Sequence, residues 1–325
     1  PWAVCWLTAS GELDQEEVVA RQAQGEFVLF GPGLAQDIMA YKLALYAAVK
    51  PEVVVLGSSR AGNVRAAFFE RPFVNMAGAA MDLESLRLLV DRMLAVHRPR
   101  VVLLGLDFWW LTAGAPAGRP ERIVQPSLLD ASTLRAPWRW LVQGRIAPAD
   151  MLAPLQHRLR ADRYGLEAQL RDTGYGPDGS LYEGAVLDGR RPAPDHAFAR
   201  TLRELESGSG VWAGSLAPDR ERLEAFAEIC CRLRSRGIRT IVFLPPLATP
   251  VLGALADRNG GDAGWLSALR QGLLDCGVES MDFSDPRVYG SGDCEMMDGL
   301  HGGDVIGASL VRDMGDRQPW LRDML

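Results

Sequence analysis

Runs of continuous apolar residues alternate with segments of helical periodicity over much of this chain. Between residues 37 and 49, Ile38, Met39, Tyr41, Leu45, Tyr46 and Val49 recur near helical spacing, and Pro51 ends the run. The β-branched run Val53-Val54-Val55-Leu56 follows and stops at Gly57-Ser58-Ser59. This reads as a buried strand and a tight turn, with a helix from near 61 to about 70. Phe73-Val74-Asn75 is a short second strand. Residues 82–97 read as an amphipathic helix with Leu83, Leu86, Leu89, Val90, Met93 and Leu94 facing inward and Asp82 as its N-cap. Val101-Val102-Leu103-Leu104, closing at Gly105-Leu106-Asp107, is the clearest strand. Its unbroken apolar character predicts burial on both faces, as in a parallel sheet covered by helices.

The rhythm stops near Thr112. Residues 112–214 carry proline and glycine turns, among them Gly176-Pro177-Asp178-Gly179, with short helical pieces such as 150–170 and no strong strand. Alternation then resumes: helix 218–236, strand 240–244 ending in Pro245-Pro246, helix 263–276, strand 279–283 and a last helix from 304 to about 314. Strands alternating with helices predict a doubly wound α/β fold of about five parallel strands, with active groups at their carboxyl ends. The expected organisation is an N-terminal extension (1–36), one discontinuous α/β core (37–111 and 215–325) and a large irregular insertion (112–214). A lid or substrate-binding segment and a structural elaboration are both open readings of the insertion.

Composition narrows the functions. The 325-residue chain is 48% hydrophobic, ample for a core, and carries a net charge of −6 without a basic run, which excludes nucleic acid as an expected partner. Lys42 and Lys50 are its only lysines, a skew that resembles genomic base composition. The five cysteines, Cys5, Cys230, Cys231, Cys276 and Cys294, form no CxxC and are odd in number, so neither a zinc site nor a disulfide framework is expected. Cys294 reads as a half-buried thiol rather than a nucleophile. No metal and no nucleotide cofactor are implied. No stretch reaches the roughly 20 apolar residues of a membrane span. The opening Pro1-Trp2-Ala3-Val4-Cys5-Trp6-Leu7 has two readings, the tail of an upstream membrane anchor or an ordinary first strand.

Two short segments carry the chemistry. Ser59 stands where a core strand delivers a residue to a tight turn, with its own N–H aimed into the crevice, so it can supply a nucleophile and an oxyanion donor. The competing reading is an N-cap or an anion-holding turn. Of the four histidines, His97 closes a helix, His157 and His196 lie in the insertion without a motif, and His301 sits between a late strand and the last helix. Asp298 precedes His301 by three residues, and Gly299, Gly302 and Gly303 let the backbone turn. Ser59, His301 and Asp298 supply the nucleophile, base and orienting carboxylate of an acyl-transfer triad. Trp109 and Trp110 are placed at the crevice mouth, where they either stack on sugar rings or belong to the core. Arg60 is a candidate for an anionic substrate group, or pairs with Asp107 or Asp82.

Together these motifs resemble the SGNH/GDSL hydrolase superfamily. Gly57-Ser58-Ser59 is similar to its Gly-Asp-Ser motif, Asp298-Gly299-Leu300-His301 to its Asp-x-x-His motif, and Asn75 through Gly78 to its second motif. The resemblance implies a flavodoxin-like sheet, a catalytic Ser59-His301-Asp298 triad, an oxyanion role for the Gly78 N–H and substrate contacts from Asn75. It is nearest to a divergent bacterial branch that includes alginate O-acetyltransferases and related membrane-anchored proteins of cell-surface polysaccharide modification. It therefore implies a glycan or acyl-ester substrate, partners in envelope polysaccharide assembly and a periplasmic or extracytoplasmic place. The third motif departs from the family: Gly105-Leu106-Asp107 stands where Gly-x-Asn-Asp is usual. An ionised Asp107 accepts hydrogen bonds and cannot donate one to an oxyanion. The expected activity is esterase or O-acetyltransferase, the alternative a non-catalytic glycan-binding or scaffolding module.

Overall fold

A computed structural model describes the chain except for residues 1, 35–37, 114–130, 145, 153–158, 188–194, 214–216 and 260–264. The fold is mixed α/β. Nine strands occur among the described residues: β1 (Leu29–Phe30), β2 (Val53–Leu56), β3 (Phe73–Asn75), β4 (Val101–Gly105), β5 (Arg163–Tyr164), β6 (Thr173–Tyr175), β7 (Leu181–Glu183), β8 (Arg239–Leu244) and β9 (Glu279–Asp282). They form two sheets, in two compact units.

The second unit, Val49–Pro120 with Pro192–Leu325, contains the five-stranded sheet in the order β3-β2-β4-β8-β9. Every pairing in it is parallel. All positions of β2, β3 and β4 are buried, as their unbroken apolar runs predict. Helix Leu83–Val96 begins at the expected N-cap: Asp82 accepts from Ser85 N, and the Ser85 hydroxyl returns the interaction. It packs on helix Arg220–Ser235, which also lies against β8, and helix Asp304–Arg317 follows the histidine loop.

The first unit, Pro1–Ala48 with Glu121–Arg191, holds the small sheet, order β5-β1-β6-β7. Its core gathers Trp6 and Leu7 with Ala136, Trp140, Ile146 and Leu166. The expected boundaries therefore shift. Part of the expected insertion folds with the N-terminal segment, and residues 195–213 join the second unit. The opening apolar run is helix Trp2–Ala9 rather than a strand. The insertion does contain strands, but they are two or three residues long, too short to show a period.

The expected helix at 61–70 is replaced by two 3-10 turns, Ser59–Ala61 and Ala66–Phe68. The buried Asn75 amide is the reason, because its Nδ2 donates to Ala61 O and Val64 O, both at 2.9 Å, and so takes carbonyls that a helix would use. Helix Thr249–Asn259, not expected from the sequence, carries Pro250 in its first turn, where proline is tolerated. Cys231 and Cys276 are disulfide-bonded with Cα atoms 5.0 Å apart, correcting the expectation of no disulfide. Sequence spacing does not reveal that their two segments pack together. Cys294 is exposed rather than half-buried. Among the described residues no helix is long and apolar enough to cross a membrane.

Candidate active site

The turn after β2 is built so that two adjacent serines do different work. Gly57 has φ +134°, and a Cβ there would meet the Gly105 carbonyl oxygen at 2.5 Å, so only glycine lets β2 and β4 end this close together. Ser58 takes the N-cap role, its Oγ accepting from Arg60 N at 3.2 Å. The Ser59 carbonyl accepts from Gly62 N at 2.9 Å, while its hydroxyl is left out of the turn's own hydrogen bonding. Its hydroxyl lies 2.9 Å from His301 Nε2.

On the other side of the imidazole, His301 Nδ1 lies 2.9 and 3.0 Å from the two oxygens of Asp298. A carboxylate only accepts, so Nδ1 carries the proton and Nε2 is free to accept from Ser59. The 298–301 loop is itself fixed by Asp298 Oδ1, which accepts from Leu300 N and His301 N, both at 2.8 Å. Burial favours the neutral acid at Asp298, but the hydrogen bond and charge of His301 and the two backbone N–H groups outweigh it and hold the carboxyl below its usual range. Arg200 adds a more distant cation, 3.6 Å from Asp298 Oδ2. Gly299 lies against helix Ala199–Ser207, where a Cβ would meet Thr201 at 2.5 Å.

Arg60, the residue after Ser59, is a buried hub. Nη1 donates to Asp107 Oδ1 at 2.8 Å, Nη2 to the carbonyls of Pro245 and Pro246 at 2.7 Å each, and Nε to Leu300 O at 3.1 Å. Its guanidinium also lies 5.1 Å from the Trp109 ring centroid. One side chain thus ties together the ends of β2, β4 and β8 and the loop that carries His301. These bonds show the pairing of Arg60 with Asp107, and the residue also lines a cavity beside Ser59 and His301. Planar guanidinium geometry suits such a junction, where several acceptors lie in different directions.

The oxyanion donors are fewer than the resemblance implies. The Ser59 N–H has no partner among the described residues, but the Gly78 N–H donates to Gly57 O at 2.8 Å and is spent. Asp107, at the expected asparagine position, offers no donor. Asn75 holds the turn after its own strand: besides its bonds to Ala61 and Val64, its Oδ1 accepts from Ala77 N at 2.8 Å.

Ser59 and His301 open onto a cavity of about 330 Å³. Asp107, Trp109 and Trp110 line it as expected, yet the two tryptophans are only 8% and 2% exposed. Trp109 packs against Phe108 and Trp212, so the pair forms a wall of the cavity rather than an open stacking platform. Ser58 and Arg60 line it too, and sequence reasoning missed Met81, Asp82, Arg222, Leu300, Gly210 and Val211, which complete the lining. Leu300 was legible as the neighbour of His301; Gly210 and Val211 lie in a stretch without pattern. These two are the described residues of the expected insertion that reach the cavity.

A larger groove of about 860 Å³ runs between helices Leu83–Val96 and Arg220–Ser235. It is lined by charges of both signs and includes neither Ser59 nor His301. Of the other histidines, His97 Nε2 contacts Pro51 O at 3.0 Å, and His157 lies outside the described residues. Among the described residues, no group of three or more His, Cys, Asp or Glu is arranged to hold a metal ion. No protein-family model matches this chain, and no curated protein or solved structure matches it, so the site stands on its geometry alone.

Proposed function

We propose that this protein is a serine-dependent acyl-transfer enzyme. The observation that carries the reading is the hydrogen-bonded chain Ser59 Oγ, His301 Nε2, His301 Nδ1, Asp298, opening onto a cavity. Ser59 Oγ attacks an ester carbonyl carbon and its proton passes to His301 Nε2, while Asp298 stabilises the imidazolium. The developing oxyanion accepts from the Ser59 N–H. The bond to the leaving alcohol breaks as His301 returns the proton to its oxygen. Water or a second hydroxyl then attacks the acyl group, its proton goes to His301, and Ser59 is released with that proton.

The strand order β3-β2-β4-β8-β9 supports reading the sheet as flavodoxin-like and the domain as SGNH/GDSL-type. On that resemblance the substrate is an ester of a carbohydrate, acted on outside the cytoplasm in an envelope polysaccharide system. A single free oxyanion donor among the described residues implies slow turnover, since the loss of one donor costs about 100-fold or more. The same shortage favours a second reading, a glycan-binding module that has kept the triad geometry without using it.

Turnover of p-nitrophenyl acetate separates the two. Acyl transfer requires measurable hydrolysis that falls roughly 10,000-fold in Ser59→Ala. Equal rates in wild type and variant would support the binding module.

A further inference from the structure

Two arginines line the cavity at Ser59, and only one of them is neutralised. Arg60 is paired with Asp107, whereas Arg222 forms no ion pair among the described residues. Arg222 stands in the first turn of helix Arg220–Ser235 and is half-buried. Its backbone N–H is used in the cap, donating to Asp219 Oδ1 at 3.0 Å, and its Nη1 donates to the Trp110 carbonyl at 3.3 Å. Its Nε and Nη2 have no partner among the described residues. Unlike Asp107 Oδ2 and Trp110 Nε1, which are sealed in without partners, these two nitrogens are open to water. They form one edge of the planar guanidinium, with two N–H groups that point the same way and match the two oxygens of a carboxylate. Asp82, the remaining carboxylate at the wall, is occupied in capping helix Leu83–Val96. Arg222 also lines the groove of about 860 Å³, and Asp82 of the cavity is followed by Leu83 of the groove, so the two spaces adjoin at this arginine.

We propose that Arg222 is a specificity-determining residue that binds a carboxylate of the substrate through Nε and Nη2, at the place where the cavity at Ser59 meets the groove. The proposal rests on the acyl-transfer reading and adds a charge to its substrate: an ester that carries a carboxylate several bonds from the carbonyl carbon Ser59 attacks. The carboxylate has two sources, the acyl group or the alcohol, and both present the same anion to the same edge. A charge-assisted, bidentate contact in a half-buried wall separates an anion from a neutral group of the same shape.

The test compares kcat/KM for carboxylate esters and their isosteric amides in two arms. In the acyl arm the pair is mono-p-nitrophenyl adipate and p-nitrophenyl adipamate. In the alcohol arm it is para-acetoxybenzoate and para-acetoxybenzamide. Wild type is expected to prefer the carboxylate about tenfold or more in one arm, which identifies the half of the substrate that bears the charge. In Arg222→Gln the ratio is expected to fall to about one, and in Arg222→Lys, which keeps the charge without the fork, to an intermediate value. A fluorophosphonate label on Ser59 reports whether each variant has a formed site. No preference in either arm overturns the proposal and leaves acyl transfer standing, and so does a preference undiminished in a labelled Arg222→Gln. If Arg222→Gln does not label, Arg222→Lys decides in its place, an undiminished preference there overturning the bidentate contact. Failure of wild type to label and to turn over any of the four esters overturns the acyl-transfer reading, and the proposal with it.

Discussion

The first unit buries Lys42 and Glu12 almost completely, at 0% and 3% exposure, whereas the second keeps Ser59 and His301 partly open at a cavity. Lys42 Nζ donates to the Gly179 carbonyl and sits 4.1 Å from the Tyr175 ring centroid. Burial pushes its ammonium down to about 7, against the opposing charge of Asp178. Glu12 accepts from Leu34 N and Leu166 N, and burial pushes its carboxyl up to about 7 in spite of those bonds. Both groups are strongly perturbed, which on its own is a mark of functional sites. Yet neither Lys42 nor Glu12 lines any of the cavities described among these residues. Their hydrogen bonds close on backbone groups of neighbouring turns, and each pins a loop. At the Ser59 site the order is reversed: the partners fix the imidazole, and Ser59 lines a cavity. Orientation toward a cavity, more than perturbation, separates the two networks.

The comparison breaks most sharply at His301. His301→Gln is expected to slow acylation of Ser59 roughly 10,000-fold or more while the urea midpoint barely moves. A variant that keeps a tenth of the wild-type acylation rate would mean the imidazole is as structural as Lys42. Asp298→Asn should cost about 1,000- to 10,000-fold, because an amide no longer demands the Nδ1 proton. Wild-type rates in that variant would remove Asp298 from the triad.

Arg60 belongs to both kinds of network, a buried charge that also shapes the site. Arg60→Met leaves Asp107 buried without its cation, and urea unfolding should report a loss of about 3–5 kcal/mol. Arg60→Lys is expected to recover only part of it, since an ammonium does not span Asp107, Pro245, Pro246 and Leu300 at once. An unchanged midpoint in Arg60→Met would show that the hub holds nothing together.

The smallest expected effects are pH dependences of stability in the first unit. Glu12 is raised from 4.5, so the folded chain keeps a proton that the unfolded chain releases, and stability should fall as pH rises from about 4.5 to about 7. Lys42 is lowered from 10.5, so the unfolded chain holds the extra proton, and stability should climb from about 7 to about 10.5. Glu12→Gln is expected to flatten the acid limb and Lys42→Met the alkaline limb, each without effect on Ser59 acylation. Urea unfolding across pH checks both; limbs that persist in the variants would contradict the assignment.

The two units also differ in how far their sequences could be read. In the second, strands β2, β4 and β8 are buried at nearly every position, so hydrophobic runs mark them, and the carboxyl ends of β2 and β4 deliver Ser59 and Asp107 where a parallel sheet should. Asp298 and His301 were legible because local chemistry, a loop between glycines, holds them three residues apart. What escaped was long-range. The Gly78 N–H is consumed by Gly57 O, Arg60 is claimed by carbonyls about 185 and 240 residues away, and Asn75 unmakes a helix from another strand. No periodicity encodes such contacts. In the first unit, strands of two or three residues leave no pattern, and helix Trp2–Ala9 is apolar on nearly every side, so its period is hidden.

The claim that Ser59 is an activated nucleophile is tested most directly by treating the protein with a fluorophosphonate probe and locating the adduct by peptide mass spectrometry. The expected result is a single adduct on Ser59, absent in Ser59→Ala and strongly reduced in His301→Gln. A folded wild-type protein that takes up no probe, or that carries it on another residue, would contradict the account.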